Sequence, residues 1–320
     1  LGRLAAALLI AGLAACGGSK DGGGAGGTTR LSIATGGVAG VYYVYGGAYA
    51  AAIGKSLPGY VATAEVTAAS VDNLRLVGAK KSAIGFTLMD TAGDAVAGRS
   101  PFDAPIPVKA LARIYTTYVQ VVARDPAIRT LADLKGKRVS LGAPGSGSEI
   151  LALRLLRAAG LDPDKDIRRQ GLGIGETTSA LADGSIDAFI WTGGLPTPGV
   201  TELAINRPIH LLPTVQYLPA MKQAFGEVYA ETVIPAGVYK GVDTPMPTIG
   251  IDNLLVVHAD MPEQEAHDLA KVLFEQRAAI EAVHPEARNL DLAKATATGP
   301  VPLHPGARRY FDEAAKGAAK

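Results

Sequence analysis

Apolar positions along this chain follow two alternating periods. From Arg30, Leu31-Ser32-Ile33-Ala34 reads as a strand, Thr35-Gly36-Gly37-Val38-Ala39-Gly40 as a glycine loop, and Val41 to Leu57 as a helix. A strand from Tyr60 to Val66, a short helix after Ser70 and a strand from Ala83 to Thr87, ending at Asp90, complete a first series. The same order returns from Arg138. There a strand leads into the glycine loop around Gly145, a helix closed by Gly160, a strand near Ile167 to Gln170, a helix after Glu176, and a strand from Ile186 to Trp191. Repetition in a fixed order predicts two α/β lobes, each a parallel sheet covered by helices.

Between the two series, Val108 to Ile114 and Val119 to Arg124 read as strands, and Thr130 to Lys137 as a capped helical turn. Later, Thr248 to His258 alternates as a strand does. Asp260 and Glu263 then form a capping box, with Pro262 in the first turn of a helix running to about Val283. The simplest path returns this closing segment to the first lobe. The expected division is residues 30–122 with 249–320 for lobe 1 and 123–248 for lobe 2, hinged near Val119 to Arg124 and Pro247 to Val257.

Ahead of the folded part, Arg3 precedes an apolar run, Leu4 to Ala15, too short to span a bilayer and built like a secretory signal. Leu13-Ala14-Ala15-Cys16 resembles a bacterial lipobox. Residues 1–16 are therefore expected to be a lipoprotein signal ending at Cys16, the lipidated residue and the only cysteine, with residues 17–29 a flexible tether.

A 320-residue chain with 48% hydrophobic content can bury a sizeable core. Its net charge of +1 gives no nucleic-acid footprint. No H-E-x-x-H, C-x-x-C or EF-hand spacing suggests a metal, and there is no G-x-S-x-G elbow. No catalytic group and no cofactor is expected.

The glycine loops narrow the chemistry further. A P-loop needs Lys-Ser/Thr where Ser148-Glu149 stands, and Gly36 to Gly40 lacks one glycine of the dinucleotide pattern. Each loop is either a tight strand-to-helix connection alone or a cradle whose free N–H groups suit a small carboxylate. Both lie at the carboxyl ends of strands, and two such edges facing one another make a cleft.

Several motifs occur together in order: Thr35-Gly36-Gly37 with Gly40-Val41-Tyr42-Tyr43, Ser70-Val71-Asp72-Asn73-Leu74, Leu131 to Val139, Gly142 to Glu149, Asp187-Ala188-Phe189, Pro196-Thr197, Ile234 to Gly237 and Pro302 to Ala307. From about Arg30 to Glu313 this set resembles the TAXI family, the extracytoplasmic solute-binding subunits of TRAP transporters. The resemblance implies a periplasmic-binding-protein fold (type II), with two α/β lobes joined by a two-strand hinge around a ligand cleft. It also implies capture of a small organic anion, a carboxylate such as glutamate or 2-oxoglutarate, and its delivery to TRAP membrane permease subunits. By matching positions, it assigns ligand-facing roles to Gly37, Tyr42, Asn73 and Asp90 in lobe 1. In lobe 2 it assigns them to Ala143, Gly145, Ser146, Gly147, Ser148, Trp191, Thr192 and Gly193.

The chain departs from the family at two places. Leu88-Met89 stands where a Gln-Ser pair is common, and Tyr115-Thr116-Thr117 where many members carry Tyr-Pro-Glu; both could line the cleft. Tyr43, Tyr45 and Tyr49 read as helix packing, Arg75 and Arg113 as surface or hinge ion pairs, and His304 as structural. A ligand-presenting partner of a sensor or receptor would use the same cleft, and an enzyme on this scaffold would turn its ligand over. Membrane contact is expected only through the lipid anchor.

Overall fold

The computed structural model describes residues 28–318, so the expected signal, Cys16 and nearly all of the expected tether lie outside the described residues. The first series folds as β1 (Thr29–Ala34), α1 (Val41–Ser56), β2 (Tyr60–Glu65), α2 (Ser70–Gly78) and β3 (Ile84–Leu88). Directly after it comes a helix with no forecast in the sequence reading, α3 (Met89–Ala97), closed by Gly98 in the left-handed region at φ 64°. The two strands expected next are one continuous strand, β4 (Val108–Ala123).

The second series gives β5 (Arg138–Ser140), α4 (Gly147–Ala158), β6 (Arg168–Gln170), α5 (Ile174–Asp183) and β7 (Ala188–Gly193). The rest is α6 (Pro198–Asn206), β8 (His210–Leu212), α7 (Leu218–Phe225), β9 (Tyr229–Ile234), β10 (Met246–His258), α8 (Glu263–Glu275), α9 (Arg277–Glu281) and α10 (Pro305–Ala318).

Among the described residues, ten strands form one curled sheet in the order β2-β1-β3-β10-β4-β7-β5-β6, with β8 on β4 and β9 on β10. On one side β2, β1 and β3 are parallel, and on the other β6, β5 and β7 are parallel. The parallel expectation holds for these triplets. The long strands β4 and β10 are antiparallel to their neighbours and to each other, because each crosses from one half to the other. Together they make the two-strand connection between lobes.

The crossing is pinned by Arg113, whose guanidinium donates to Asp252 at 2.6 and 2.7 Å, while Thr116 Oγ1 donates to the same carboxylate at 2.7 Å. A register shift at Asn253 interrupts the β10–β4 ladder. Such an irregularity re-aims a side chain. Asn253 Nδ2 reaches the Tyr115 carbonyl at 3.0 Å and its Oδ1 accepts from the Tyr42 hydroxyl at 2.5 Å.

Tyr45 and Tyr49 are fully buried, and Tyr49 donates to the Leu269 carbonyl at 2.8 Å, tying α1 to α8. These two tyrosines are packing residues, as their helical spacing implied. The capping box at Asp260 does not form. Its carboxylate turns to Lys80 at 3.4 Å, and α8 begins after Pro262, which has no side-chain acceptor to offer. The single helix expected to reach Val283 breaks at Gln276 into α8 and α9. No described helix is long and apolar enough to cross a membrane.

Candidate functional site

The starts of α1, α2, α4 and α5 converge on a cavity of about 90 Å³ between the two halves. Nine of the twelve residues expected to face a ligand line it: Gly37, Tyr42, Ala143, Ser146, Gly147, Ser148, Trp191, Thr192 and Gly193. None of the lining residues carries a charged side chain.

Donors are nevertheless plentiful. Ser146 is the N-cap of α4, its Oγ accepting from Glu149 N at 3.0 Å, so the amides of Gly147 and Ser148 keep no protein acceptor among the described residues. At α1, Gly40 supplies no side-chain cap, which leaves the Val41 and Tyr42 amides in the same state. Glu149 does not oppose an anion here. It accepts from Gly145 N at 2.9 Å and pairs with Arg169.

Buried polar atoms with no hydrogen-bond partner are few among the described residues, and three of the five belong to the lining: Tyr115 OH, Trp191 Nε1 and Thr192 Oγ1. A buried unpaired donor costs about 1–3 kcal/mol, so a cluster of them at one cavity marks where an acceptor belongs. Burial pushes the Tyr115 phenol well above its ordinary range, which keeps its proton in place.

Three expected residues are not in the wall. Asn73 is buried behind it, donating to the carbonyls of Thr35 at 2.7 Å and Phe86 at 2.8 Å and accepting from Thr67 Oγ1 at 2.6 Å. Its amide ties β1 to β3 and leaves nothing for a ligand. Asp90 begins α3 and faces away, its Oδ2 held by Arg154 at 2.9 Å and by the Tyr229 hydroxyl at 2.8 Å. Gly145 sits at the rim, where its carbonyl accepts from Asp72 N at 3.3 Å. Tyr42 lines the cavity with its ring, its hydroxyl being spent on Asn253.

The wall also contains residues without a forecast ligand role. Ser70 at the start of α2, and Gly173 and Ile174 at the start of α5, carry only the general signal of a helix beginning at the same sheet edge. Leu88 and Tyr115, the two departures from the family pattern, do line the cleft. Arg113 is the hinge ion pair anticipated for it. Arg75 donates to the Pro101 carbonyl at 2.7 Å, and His304 is buried in a turn with its Nδ1 accepting from Gly306 N at 3.2 Å.

The halves are shut over the cavity. Gly199 N donates to the Ala39 carbonyl at 3.0 Å across the opening, and the Trp191 ring reaches to 3.7 Å of where a Cβ on Gly40 would stand. From the closing segment, the buried Glu286 carboxylate accepts from Leu195 N and Asn289 Nδ2, each at 2.5 Å, anchoring the turn after Gly193. Burial raises its pKa above the ordinary value of 4.5, the two hydrogen bonds acting against that rise. No group of His, Cys, Asp or Glu among the described residues is placed to hold a metal ion.

Solved structures share this architecture. The binding protein component of an ABC phosphonate transporter from Pseudomonas aeruginosa aligns with a TM-score of 0.54 and 14% identity over 81% of this chain and 79% of its own. A Bordetella bronchiseptica protein aligns at 0.54 and 18% over 90% and 98%. The ligand binding component of an ABC-type import system from Staphylococcus aureus, with zinc bound, aligns at 0.50 and 11% over 91% and 92%. At these identities the likeness carries the fold, which is that of the periplasmic binding proteins. A sequence-family model described as the NMT1-like family matches residues 33–315. With that match spanning nearly all of the described fold, the chain belongs to the NMT1-like family.

Proposed function

We propose that this protein is an extracytoplasmic solute-binding protein that closes on a small organic anion, a carboxylate, and hands it to membrane permease subunits. The observation that carries this reading is the closed cavity itself. It has no charged wall and no catalytic constellation, yet it gathers free helix-start amides of α1 and α4 and three unpaired polar side-chain atoms. Amides at helix starts hold an anion without a counter-ion.

Ordered motifs resembling the TAXI family support TRAP-type permease subunits as the recipient. The lipobox pattern supports an anchor at Cys16, with residues 17–29 as its tether. In this reading residues 30–122 with 249–320 form one lobe and 123–248 the other, rocking about β4 and β10, and the ligand shifts the population toward the closed state. No turnover is expected.

A thermal-shift screen of purified protein tests the proposal. At about 100-fold over its Kd, a carboxylate is expected to add roughly 2.7 kcal/mol and raise the melting temperature by several degrees. A screen in which only sugars or cations raise it contradicts the anion reading.

A further inference from the structure

Resting on the anion reading above, we infer that the ligand is a singly charged carboxylate without an ammonium group, whose second polar group is a neutral acceptor held by the Trp191 Nε1–H. The argument is a census of charge and of donors around the closed cavity.

An α-ammonium group buried there needs a carboxylate partner, and the lining offers none. The nearby carboxylates stand outside the lining and have partners of their own: Asp72 accepts from Ala68 N at 3.4 Å and Glu176 from Gly173 N at 3.2 Å. Asp90 is held by Arg154 and Tyr229, Glu286 by Leu195 N and Asn289, and Glu149 by Gly145 N and Arg169. Several wall carbonyls are occupied as well: Gly37 O accepts from Gly40 N, Ala143 O from Ser146 N, and Thr192 O from Ser148 Oγ.

The negative side is limited too. The lining has no lysine or arginine. Each helix start is worth about half a positive charge; Asp72 and Glu176 in the first turns of α2 and α5 offset those two, and Glu149 of α4 is paired with Arg169, so the starts of α1 and α4 together match about one negative charge. A second carboxylate would be buried against neutral groups alone.

What remains is a demand for acceptors. The indole N–H can only donate, and it is buried without a partner, as are the hydroxyls of Tyr115 and Thr192. The position of Trp191 is fixed from both sides of the cleft. Its Nε1 occupies the place a Cβ on Gly193 would take, so residue 193 must be glycine for the ring to lie there, while Cζ2, on the same edge of the ring, lies 3.7 Å from where a Cβ on Gly40 of the other half would stand. Trp191 is thereby a specificity-determining residue that reads the ligand only once the lobes have shut. A keto, hydroxyl or amide oxygen satisfies it; an ammonium group cannot.

Calorimetric titration of the purified chain with matched acids of three to six carbons tests this: 2-oxo and 2-hydroxy monocarboxylates, plain monocarboxylates, dicarboxylates and L-amino acids. The best oxo or hydroxy acid is expected to bind at least about tenfold tighter than the dicarboxylate and amino acid of its length. Trp191→Phe is expected to weaken that acid about tenfold more than it weakens the plain acid of the same length.

Because the chain has one tryptophan, its single indole N–H resonance reports the same contact in the unmutated protein. It is expected to move farther downfield with the oxo or hydroxy acid than with the plain acid, which shuts the lobes without giving the indole an acceptor. A margin under tenfold, tighter binding of an amino acid or dicarboxylate, or an indole resonance that moves no farther with the oxo or hydroxy acid overturns the inference while leaving the anion reading intact. Failure of every acid class to bind overturns both.

Discussion

Replacing Arg154 by methionine is expected to cost about 3 kcal/mol of folding stability, the lower end of what is lost when one partner of a buried ion pair is removed. Arg154 lies on α4 and reaches across to α3, where it meets Asp90 at 2.9 Å and also pairs with Asp94. The side chains are 12%, 1% and 6% exposed, so neither carboxylate can be rehydrated without moving a helix. Partial compensation keeps the loss from being larger. Asp90 retains the Tyr229 hydroxyl and the Thr91 amide, Asp94 retains Arg99 at 2.9 Å, and methionine still fills space beside the Phe225 ring. Urea unfolding of the protein saturated with the best-binding acid, which holds the lobes shut, measures the effect. Adding Asp90→Asn should recover part of the loss, since it removes the stranded charge. A single-variant loss under about 1 kcal/mol would mean that these charges are solvated and do not join the halves.

Replacing Gly147 by alanine is expected to act on closure and not on folding. A Cβ there would stand 2.5 Å from Ser70 Oγ and 2.8 Å from Leu88 Cδ1, both on the opposite half, so the clash exists only when the lobes are shut. Forcing a methyl group into such a contact typically costs 1–3 kcal/mol, which corresponds to a Kd weakened about 5- to 150-fold. The ligand-free melting temperature should stay close to that of the unsubstituted protein. Titration calorimetry with the best acid, run beside a melt, checks both halves of this expectation. Equal weakening of fold and binding would show that the contact belongs to the core of one lobe.

The repeated order of strand, glycine loop and helix was legible because alternation, helical spacing and glycine punctuation are local properties. So was the closing role of Gly160, which needs only neighbouring residues. Residues whose meaning depends on a distant partner were not legible. The family resemblance assigns Asn73 and Asp90 to the ligand. Asn73 is consumed by the carbonyls of Thr35, just after β1, and Phe86 in β3, and Asp90 by an arginine 64 positions away. Asp260 offers the spacing of a capping box and is drawn to Lys80 instead. Asn253, which receives the Tyr42 hydroxyl and shapes the cleft floor, depends on a strand irregularity that its own sequence does not mark. Tyr115 could be flagged as a wall position, but its unpaired hydroxyl becomes visible only once α1, β4 and β7 are assembled.

The most direct measurement is the backbone amide spectrum of the isotopically labelled protein during titration with the best-binding acid. The largest shifts are expected at Gly147, Ser148, Val41 and Tyr42, the free amides at the two facing helix starts. Largest shifts instead at the exposed cationic surface of Arg308, Arg309 and Lys316, with the cavity amides unmoved, would contradict a buried anion held by backbone N–H groups.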